Sequence, residues 1–254
     1  MDLDKYVPTR DGYEFVGWYA DEALTKPIDE ITLTGGATIY AKWEKIEEEL
    51  EEEEELEEEE EIIEEEQEES LSFSDVRRGD WFYDAVYYAV GHDLMSGMGG
   101  GIFSPNTPLQ REMFAVILWN LEGNPAPEDV AKFLDVTSDK YYAEAIAWAN
   151  ENGIVAGFGD TFGVGLPITR EQFAVMLHNY AQYKDYDVSV GEDTNILSYP
   201  DALEISEYAF PAMQWACGAG IMGGNDDGTL NPQGRATRAE AATMLMNFCE
   251  NIAK

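Results

Sequence analysis

The pattern of hydrophobic and polar positions changes twice along the chain. Residues 5–45 contain short apolar and aromatic stretches, including YEFVGWYA and ITLTGGATIYAKW, which DG and GG turns interrupt. Residues 46–70 are almost entirely glutamate, and residues 71–254 have apolar positions at the three- and four-residue spacing of amphipathic helices. The pattern predicts a mainly α protein with a small β-rich module at 1–45 and an acidic linker at 46–70.

The helical region contains three copies of one arrangement. Each copy has an aromatic closely followed by an aspartate, then a second aromatic, an alanine-rich helix, a glycine turn and a second helix that begins with arginine. Two amphipathic helices cannot bury both apolar faces alone, so we expect the copies to pack on one another. We name them by their predicted bounds: repeat 1 (71–125), repeat 2 (126–188) and repeat 3 (189–254).

Four positions recur in every repeat and carry the candidate chemistry. In the order of repeats 1, 2 and 3, they are Asp75, Asp135 and Asp201; Trp81, Tyr141 and Tyr208; Gly97, Gly157 and Gly224; and Arg111, Arg170 and Arg238. Glycine at a turn leaves the backbone bare, so a ligand can approach it closely. For the aspartates, capping of the following helix or loop is the alternative to a binding role.

The arginines are the least expected of these residues. A helix N-terminus carries partial positive charge, so a cation on the first turn is mildly unfavourable. Thr169 with Gln172, and Thr237 with Glu240, form predicted capping boxes that fix the arginine at the first helical position, whereas Gln110 is a poor N-cap. A guanidinium beside free backbone N–H groups suits an anion such as a carboxylate. An ion pair with one of the recurring aspartates is the alternative.

Charge narrows the range of partners. The net charge of −37 argues against nucleic acid and anionic membranes as partners, although the linker alone contributes 18 glutamates. We interpret that linker as a self-repelling spacer, with calcium binding as the alternative. The chain has no apolar run of about 18 residues, so we expect no membrane insertion.

The sequence offers no catalytic constellation. His92 and His178 occupy non-equivalent positions of repeats 1 and 2, and no GxSxG motif is present. We therefore expect neither an enzyme nor a metal or cofactor site. Cys217 and Cys249 lack metal-site spacing, so we expect buried thiols, with a disulfide between them as the alternative.

The N-terminal stretches YEFVGWYADEALTKP and TIYAKW resemble the Listeria–Bacteroides repeat, a β-grasp-like module of bacterial surface proteins. The matching residues are Gly12, Tyr13, Phe15, Gly17, Trp18, Tyr19, Pro27, Tyr40, Ala41, Lys42 and Trp43. The match begins near Val7 and lacks the family's leading strand, so the resemblance implies a truncated module. We expect its aromatics to fill a small core, with carbohydrate or protein contact as the alternative.

The helical region resembles the S-layer homology domain. Aspartate-valine, an aromatic, an AI or AV helix, a GI(V/M)xG turn, a DGTF-like loop and ITRE or ATRAE follow one another three times. The resemblance implies a pseudo-threefold helical assembly whose inter-repeat grooves bind the pyruvylated secondary polysaccharide of Gram-positive cell walls. The twelve recurring residues would form these grooves, with arginine holding the pyruvate carboxylate and an aromatic ring facing the sugar.

The resemblance also implies a location at the cell surface. The chain would be the C-terminal part of a longer exported protein that it anchors non-covalently to the wall. A protein–protein scaffold, with other surface proteins as partners, is the alternative function. Repeat 1 departs from the family pattern at LQRE and GMGGGIF, but all three repeats retain the arginine and the glycine. We therefore expect at least one groove to be competent, and a second one with it.

Overall fold

The computed structural model describes residues 2–32, 36–45, 73–130 and 132–253. The chain divides into two compact units, Met1–Ser70 and Leu71–Lys254. The acidic linker predicted at 46–70 lies outside the described residues. Within the four described ranges, no helix is long and apolar enough to cross a membrane.

The N-terminal unit is built on an antiparallel pair of strands, β1 (Tyr13–Tyr19) and β2 (Tyr40–Lys45). A β-bulge interrupts their pairing after Phe15 and increases the local twist. The Phe15 ring contacts the rings of Trp18 and Trp43 edge-on, with centroids 5.4 Å apart in both pairs. The predicted β-rich character is confirmed, and these aromatic side chains pack on one another.

The described part of the second unit contains six α-helices, two in each predicted repeat. They are α1 (Tyr83–Gly91), α2 (Arg111–Leu121), α3 (Ala143–Glu151), α4 (Arg170–Tyr183), α5 (Phe210–Gly218) and α6 (Arg238–Asn251). Repeat 3 also contains three short 3-10 helices before α5. The mainly α character predicted from the periodicity is confirmed.

The second helix of each repeat begins at its arginine, as predicted. The Thr169 side chain accepts a hydrogen bond from the N–H of Gln172, whose own side chain accepts from the N–H of Thr169. Thr237 and Glu240 form the same capping box at α6, whereas Gln110 gives α2 no side-chain cap. Side chains on a first turn point back past the helix start, so the arginines project towards the preceding loops.

The principal helix contacts join different repeats. α1 packs against α6, α3 against α2, and α5 against α4, so each alanine-rich first helix meets the arginine helix of another repeat. Trp148 and Trp215 are fully buried, and the rings of Phe114 and Phe173 stack across repeats 1 and 2 with centroids 3.9 Å apart. One continuous hydrophobic core results. The expectation that the repeats bury their apolar faces against one another is confirmed.

Three backbone hydrogen bonds link the repeats in a closed cycle. The N–H of Leu109 donates to the carbonyl of Ala236, that of Ala236 to Ile168, and that of Ile168 back to Leu109, at 2.9, 3.0 and 2.9 Å. All three residues are fully buried, and each lies two residues before an arginine helix. The starts of α2, α4 and α6 therefore meet in the interior.

Both cysteines of repeat 3 are free thiols. Cys217 and Cys249 are half-buried, so the alternative of a disulfide between them is not realised. Burial raises the pKa of the Cys217 thiol to about 11 and also raises that of Cys249. Both side chains stay protonated at neutral pH and behave as small apolar groups.

Candidate functional site

The three arginine side chains are almost fully buried, and each crosses into another repeat. Arg111, Arg170 and Arg238 are 6%, 5% and 4% exposed. Each guanidinium donates from Nε and Nη2 to two backbone carbonyls of the glycine loop that it enters. The acceptors are Phe162 and Ala156 for Arg111, Leu230 and Gly223 for Arg170, and Phe103 and Ser96 for Arg238. Repeat 1 thus binds repeat 2, repeat 2 binds repeat 3, and repeat 3 binds repeat 1.

The remaining guanidinium nitrogen, Nη1, has a different environment in each repeat. In Arg170 it forms an ion pair with Glu240 at 3.1 Å. In Arg111 it makes only a long contact of 3.4 Å with the side-chain oxygen of Gln172. In Arg238 it has no hydrogen-bond partner among the described residues. Two of the three arginines therefore have no carboxylate on this edge.

Burial also affects the charge of these arginines. Desolvation lowers the pKa of Arg111, which the nearby Tyr208 hydroxyl partly offsets. Desolvation likewise lowers the pKa of Arg238, and the field of Asp75 acts in the opposite direction. A guanidinium nevertheless stays protonated in a protein at neutral pH. The cations are therefore retained, and their nearest partners are neutral carbonyl dipoles.

The recurring aspartates cap the loops that the arginines enter. Their carboxylate oxygens accept loop N–H groups at 2.6–2.9 Å: Asp75 from Phe103 and Ser104, Asp135 from Phe162, Gly163 and Val164, and Asp201 from Leu230 and Asn231. One loop residue in each repeat thus gives its N–H to the aspartate and its carbonyl to an arginine. Among the described residues, none of the three recurring arginines forms an ion pair with a recurring aspartate, so that alternative was wrong. Loop capping accounts for the aspartates instead.

The three glycines leave room for an aromatic ring of their own repeat. A Cβ at Gly157 would lie 2.3 Å from the Phe133 ring and 2.4 Å from the Thr161 carbonyl oxygen. Gly97 and Gly224 face Phe73 and Tyr199 in the same way, at 2.6 and 2.8 Å. Their backbone does not need a positive φ. The sequence analysis interpreted these glycines as a bare backbone surface for a ligand. The structure shows that they also have a packing role, which that interpretation did not include.

The recurring aromatics are the exposed members of the set. Trp81, Tyr141 and Tyr208 are 68%, 61% and 59% exposed. The rings of Trp81 and Tyr141 lean edge-on against the next residue in the chain. The hydroxyl of Tyr208 turns inward and donates to buried Glu171 at 3.0 Å, and burial together with this bond raises the pKa of Tyr208 to about 12. All three side chains therefore keep more than half of their surface exposed.

Three grooves bring these residues together, and each is assembled from all three repeats. Groove 1, of about 270 Å³, is lined by Leu94, Met95, Ser96, Met98, Met113, Ile117 and Asn120 of repeat 1, by Tyr141 and by Arg238. Groove 2, of about 290 Å³, is lined by Ile154, Ala156, Gly157, Phe158, Gln172, Met176 and Asn179 of repeat 2, by Tyr208 and by Arg111. Groove 3, of about 510 Å³, is lined by Met222, Gly223, Gly224, Asn225, Glu240, Met244 and Asn247 of repeat 3, by Trp81 and by Arg170.

The structure therefore brings together most of the predicted site residues. Every groove has one recurring arginine and one recurring aromatic, each from a different repeat. Gly157 and Gly224 line grooves 2 and 3, whereas Gly97 is not among the residues lining groove 1, although both its chain neighbours are. The aspartates do not line these grooves. Their carboxylates accept hydrogen bonds from N–H groups of the glycine loops and so stabilise the loops.

Two recurring groove residues were missed by the sequence analysis. Asn120, Asn179 and Asn247 lie nine residues after the arginine in every repeat, and each side-chain amide donates to a backbone carbonyl of its repeat. The constant offset was the available signal. The third residue of the arginine helix also lines each groove, and it differs between repeats: Met113, Gln172 and Glu240.

Comparisons with protein families agree with this architecture. The model of the S-layer homology domain matches residues 72–115, 132–174 and 198–242. The model of the Listeria-Bacteroides repeat domain matches residues 3–42. The sequence analysis placed the start of this match near Val7, so the match begins earlier than predicted. Each of the three S-layer homology matches ends within an arginine helix.

Curated relatives include both enzymes and surface proteins. The chain is 26% identical to an amylopullulanase of Thermoanaerobacterium thermosulfurigenes over 96% of its own length and 12% of the relative. It is 29% identical to an endoglucanase of Bacillus sp. strain KSM-635, over 72% of the chain and 19% of the relative. It is 33% identical to the surface-layer 125 kDa protein of Lysinibacillus sphaericus, over 43% of the chain and 10% of the relative. The chain thus spans a fifth or less of the length of these three relatives.

Proposed function

Since the chain belongs to the S-layer homology domain family and is a cell-surface, wall-associated protein, we propose that its three grooves bind secondary cell-wall polysaccharide non-covalently. The ligand is a glycan that carries carboxylates, of which ketal-linked pyruvate is the proposed form. The chain is an anchor and not an enzyme. We do not assign the activities of the amylopullulanase and the endoglucanase to this chain, because it matches only a small part of each protein.

The observation that carries this proposal is the repeated combination of an exposed ring, a buried arginine and an asparagine amide in one groove. A pyranose has apolar ring faces and polar edges, so it suits an aromatic surface next to hydrogen-bonding side chains. Trp81, Tyr141 and Tyr208 offer such surfaces at the groove edges. Amide and guanidinium groups lie deeper, where water is partly excluded.

The arginines contribute a fixed positive charge at the base of each groove. Two carbonyl hydrogen bonds hold each guanidinium in place before any ligand arrives, so little side-chain entropy is lost on binding. In Arg111 and Arg238, the Nη1 edge is the part of the guanidinium that remains for a ligand carboxylate. Because desolvated charges are screened less by salt, this contact acts in spite of the acidic surface of the chain.

The cyclic order of contacts supports a pseudo-threefold arrangement of the repeats. The backbone cycle through Leu109, Ala236 and Ile168 and the three arginine contacts run in consistent directions around the molecule. We propose that this arrangement creates three related grooves, so that a polymer with repeating sugars can occupy more than one at a time. Binding to linked sites raises the overall affinity through effective concentration.

The proposal is tested by co-sedimentation of the full chain with purified cell-wall sacculi in three states. These are intact sacculi, sacculi from which mild acid has removed pyruvyl ketals, and sacculi from which the polysaccharide has been extracted. We expect strong binding to the first, weaker binding to the second and none to the third. Binding that persists on the third, or capture of a wall protein in place of glycan, would support a protein–protein scaffold instead.

A further inference from the structure

The three grooves differ in charge at one position. The third residue of the arginine helix lines the same groove as the arginine that enters from another repeat. In groove 3, this residue is Glu240, which neutralises Arg170 through the ion pair at 3.1 Å. In groove 2, it is Gln172, a neutral amide 3.4 Å from Arg111. The substitution of an amide for a carboxylate leaves Arg111 without a counter-ion.

In groove 1, the arginine Nη1 atom has neither a carboxylate nor an amide as a partner among the described residues. The third helix residue of this groove is Met113, which cannot accept a strong hydrogen bond, and the Nη1 atom of Arg238 has no partner among the described residues. The arginine is 4% exposed and lines the groove, so this nitrogen can be satisfied by a ligand or by water within it. A guanidinium N–H can only donate, so a ligand acceptor such as a carboxylate suits this point.

The other charged groups do not reverse this order. Groove 1 has exposed Asp93 in its lining, and the field of Asp75 reaches Arg238, but both Asp75 oxygens accept loop N–H groups. The lining of groove 3 includes exposed Asp226 in addition to its ion pair. Exposed carboxylates are screened by water and salt, whereas the largely buried ion pair of Arg170 and Glu240 at 3.1 Å is screened much less.

The lining of groove 2 contains no carboxylate among the described residues. Glu171, which is 2% exposed, accepts a hydrogen bond from the hydroxyl of the groove residue Tyr208. The Glu171 oxygens also accept from the N–H and the hydroxyl of Ser206, and these hydrogen bonds stabilise its charge. Arg111 is therefore the dominant charge in this groove.

We propose that the third residue of the arginine helix selects which grooves take an anionic sugar. Grooves 1 and 2, where no carboxylate pairs with the arginine, bind the ligand carboxylate. Groove 3, where Glu240 occupies the guanidinium edge, binds an uncharged stretch of the same glycan. This inference rests on the proposed function, which it makes specific by assigning a different part of the ligand to each groove.

The two capping boxes make a reciprocal exchange possible without disturbing the helices. Gln172 and Glu240 both cap their helices through the same hydrogen bonds, so Gln172→Glu and Glu240→Gln each install a side chain that the other repeat already accommodates. Gln182→Glu on α4 and Glu250→Gln on α6 are matched controls. They make the same changes of charge at exposed positions outside the grooves.

The probe is polysaccharide released from sacculi, used intact and after mild acid has removed its pyruvyl ketals. In NMR titrations of the ¹⁵N-labelled full chain, the Nε–H signals of Arg238, Arg111 and Arg170 report on grooves 1, 2 and 3 separately. With the intact polymer, we expect Gln172→Glu to weaken binding at groove 2 about tenfold and Glu240→Gln to strengthen it at groove 3 about tenfold. A hydrogen bond between charged groups contributes enough for such a change. The controls and the ketal-free polymer should show neither change.

The outcomes separate the two proposals. If the unmodified chain binds the intact polymer in a ketal-dependent way but the exchange variants leave the groove affinities unchanged, the charge-selection inference is wrong and the anchoring proposal stands. If all three arginine signals respond equally in the unmodified chain, the inference is also wrong. If neither form of the polymer is bound by any variant, the proposed function fails, and the inference fails with it.

Discussion

The arginines and the aromatics of the three grooves occupy equivalent positions in the sequence but opposite environments in the fold. Arg111, Arg170 and Arg238 are at most 6% exposed and hold the repeats together, whereas Trp81 and Tyr141 are more than 60% exposed. One set is committed to the protein and the other is available to a ligand. Loss of an arginine should therefore first affect stability, and loss of an exposed ring should first affect binding.

The largest effect on stability is expected from an arginine. Arg238→Met removes the donors to Phe103 and Ser96 and leaves two carbonyls of repeat 1 without their partner. Each buried unsatisfied acceptor costs about 1–3 kcal/mol, so the free energy of unfolding should fall by about 3 kcal/mol. Urea unfolding followed by circular dichroism measures this change. Arg77→Ala, at an exposed position, is the control and should change it by less than about 0.5 kcal/mol.

A smaller loss is expected at the glycine turn. Gly157→Ala places a methyl group against the Phe133 ring and the Thr161 carbonyl, both closer than 2.5 Å. Such overpacking costs about 1–3 kcal/mol. Gly79→Ala, where no atom lies within 4 Å of the new Cβ, should leave stability nearly unchanged in the same urea experiment. Equal stability of both variants would show that the turn can open to receive a side chain.

One of the loop-capping aspartates, Asp135, gives an effect that depends on pH. Burial acts to raise the pKa of Asp135, but hydrogen bonds from Phe162, Val164 and Gly163 outweigh it and lower that pKa below its usual value. A lowered pKa in the folded state contributes stability above the unfolded pKa of about 3.9, and this stability is lost as the pH falls through the folded value.

The corresponding variant is Asp135→Asn. It should lower the free energy of unfolding by about 1–2 kcal/mol at pH 7, because an amide accepts these N–H groups less strongly. The difference between the two proteins should shrink when the pH is lowered below about 4. Urea midpoints measured from pH 7 to pH 3 provide the comparison. A difference that stays constant with pH would mean that the Asp135 charge does not contribute.

The smallest effect on stability is expected at the exposed rings. Tyr141→Ala removes a ring that is 61% exposed, so the free energy of unfolding should change by less than about 0.5 kcal/mol. Tyr208→Ala should cost more, about 1 kcal/mol, because it also removes the hydrogen bond to Glu171. Thermal unfolding of the two variants distinguishes these cases. A large loss for Tyr141→Ala would place that ring with the arginines as a structural element.

The sequence predicted the local features of this fold well. The helix starts, the two capping boxes and the apolar faces all depend on contacts within about four residues, and the capping residues Thr169 and Thr237 confirm that reading. The arginine partners could not be predicted in this way. The acceptors of Arg238 lie 135 and 142 residues earlier, and the spacing of the repeats is the same whether they close into a cycle or stack in a line.

The glycines and the third helix residues illustrate the same limit. Gly157 was predicted to bare the backbone for a ligand, but its neighbour is Phe133, 24 residues earlier, which only the folded loop reveals. Met113, Gln172 and Glu240 are visible as differences between aligned repeats. Their consequence depends on which arginine enters each groove, and that arginine comes from another repeat.

The central claim is that exposed rings and buried arginines of different repeats form glycan-binding grooves. Its most direct test is the affinity of the Trp81→Ala, Tyr141→Ala double variant for intact sacculi, measured beside a Leu203→Ala control that removes a large exposed side chain outside the three grooves. The account predicts a loss of at least about tenfold for the double variant, with unfolding unchanged, and no loss for the control. Unchanged sacculus binding by a folded double variant would contradict it.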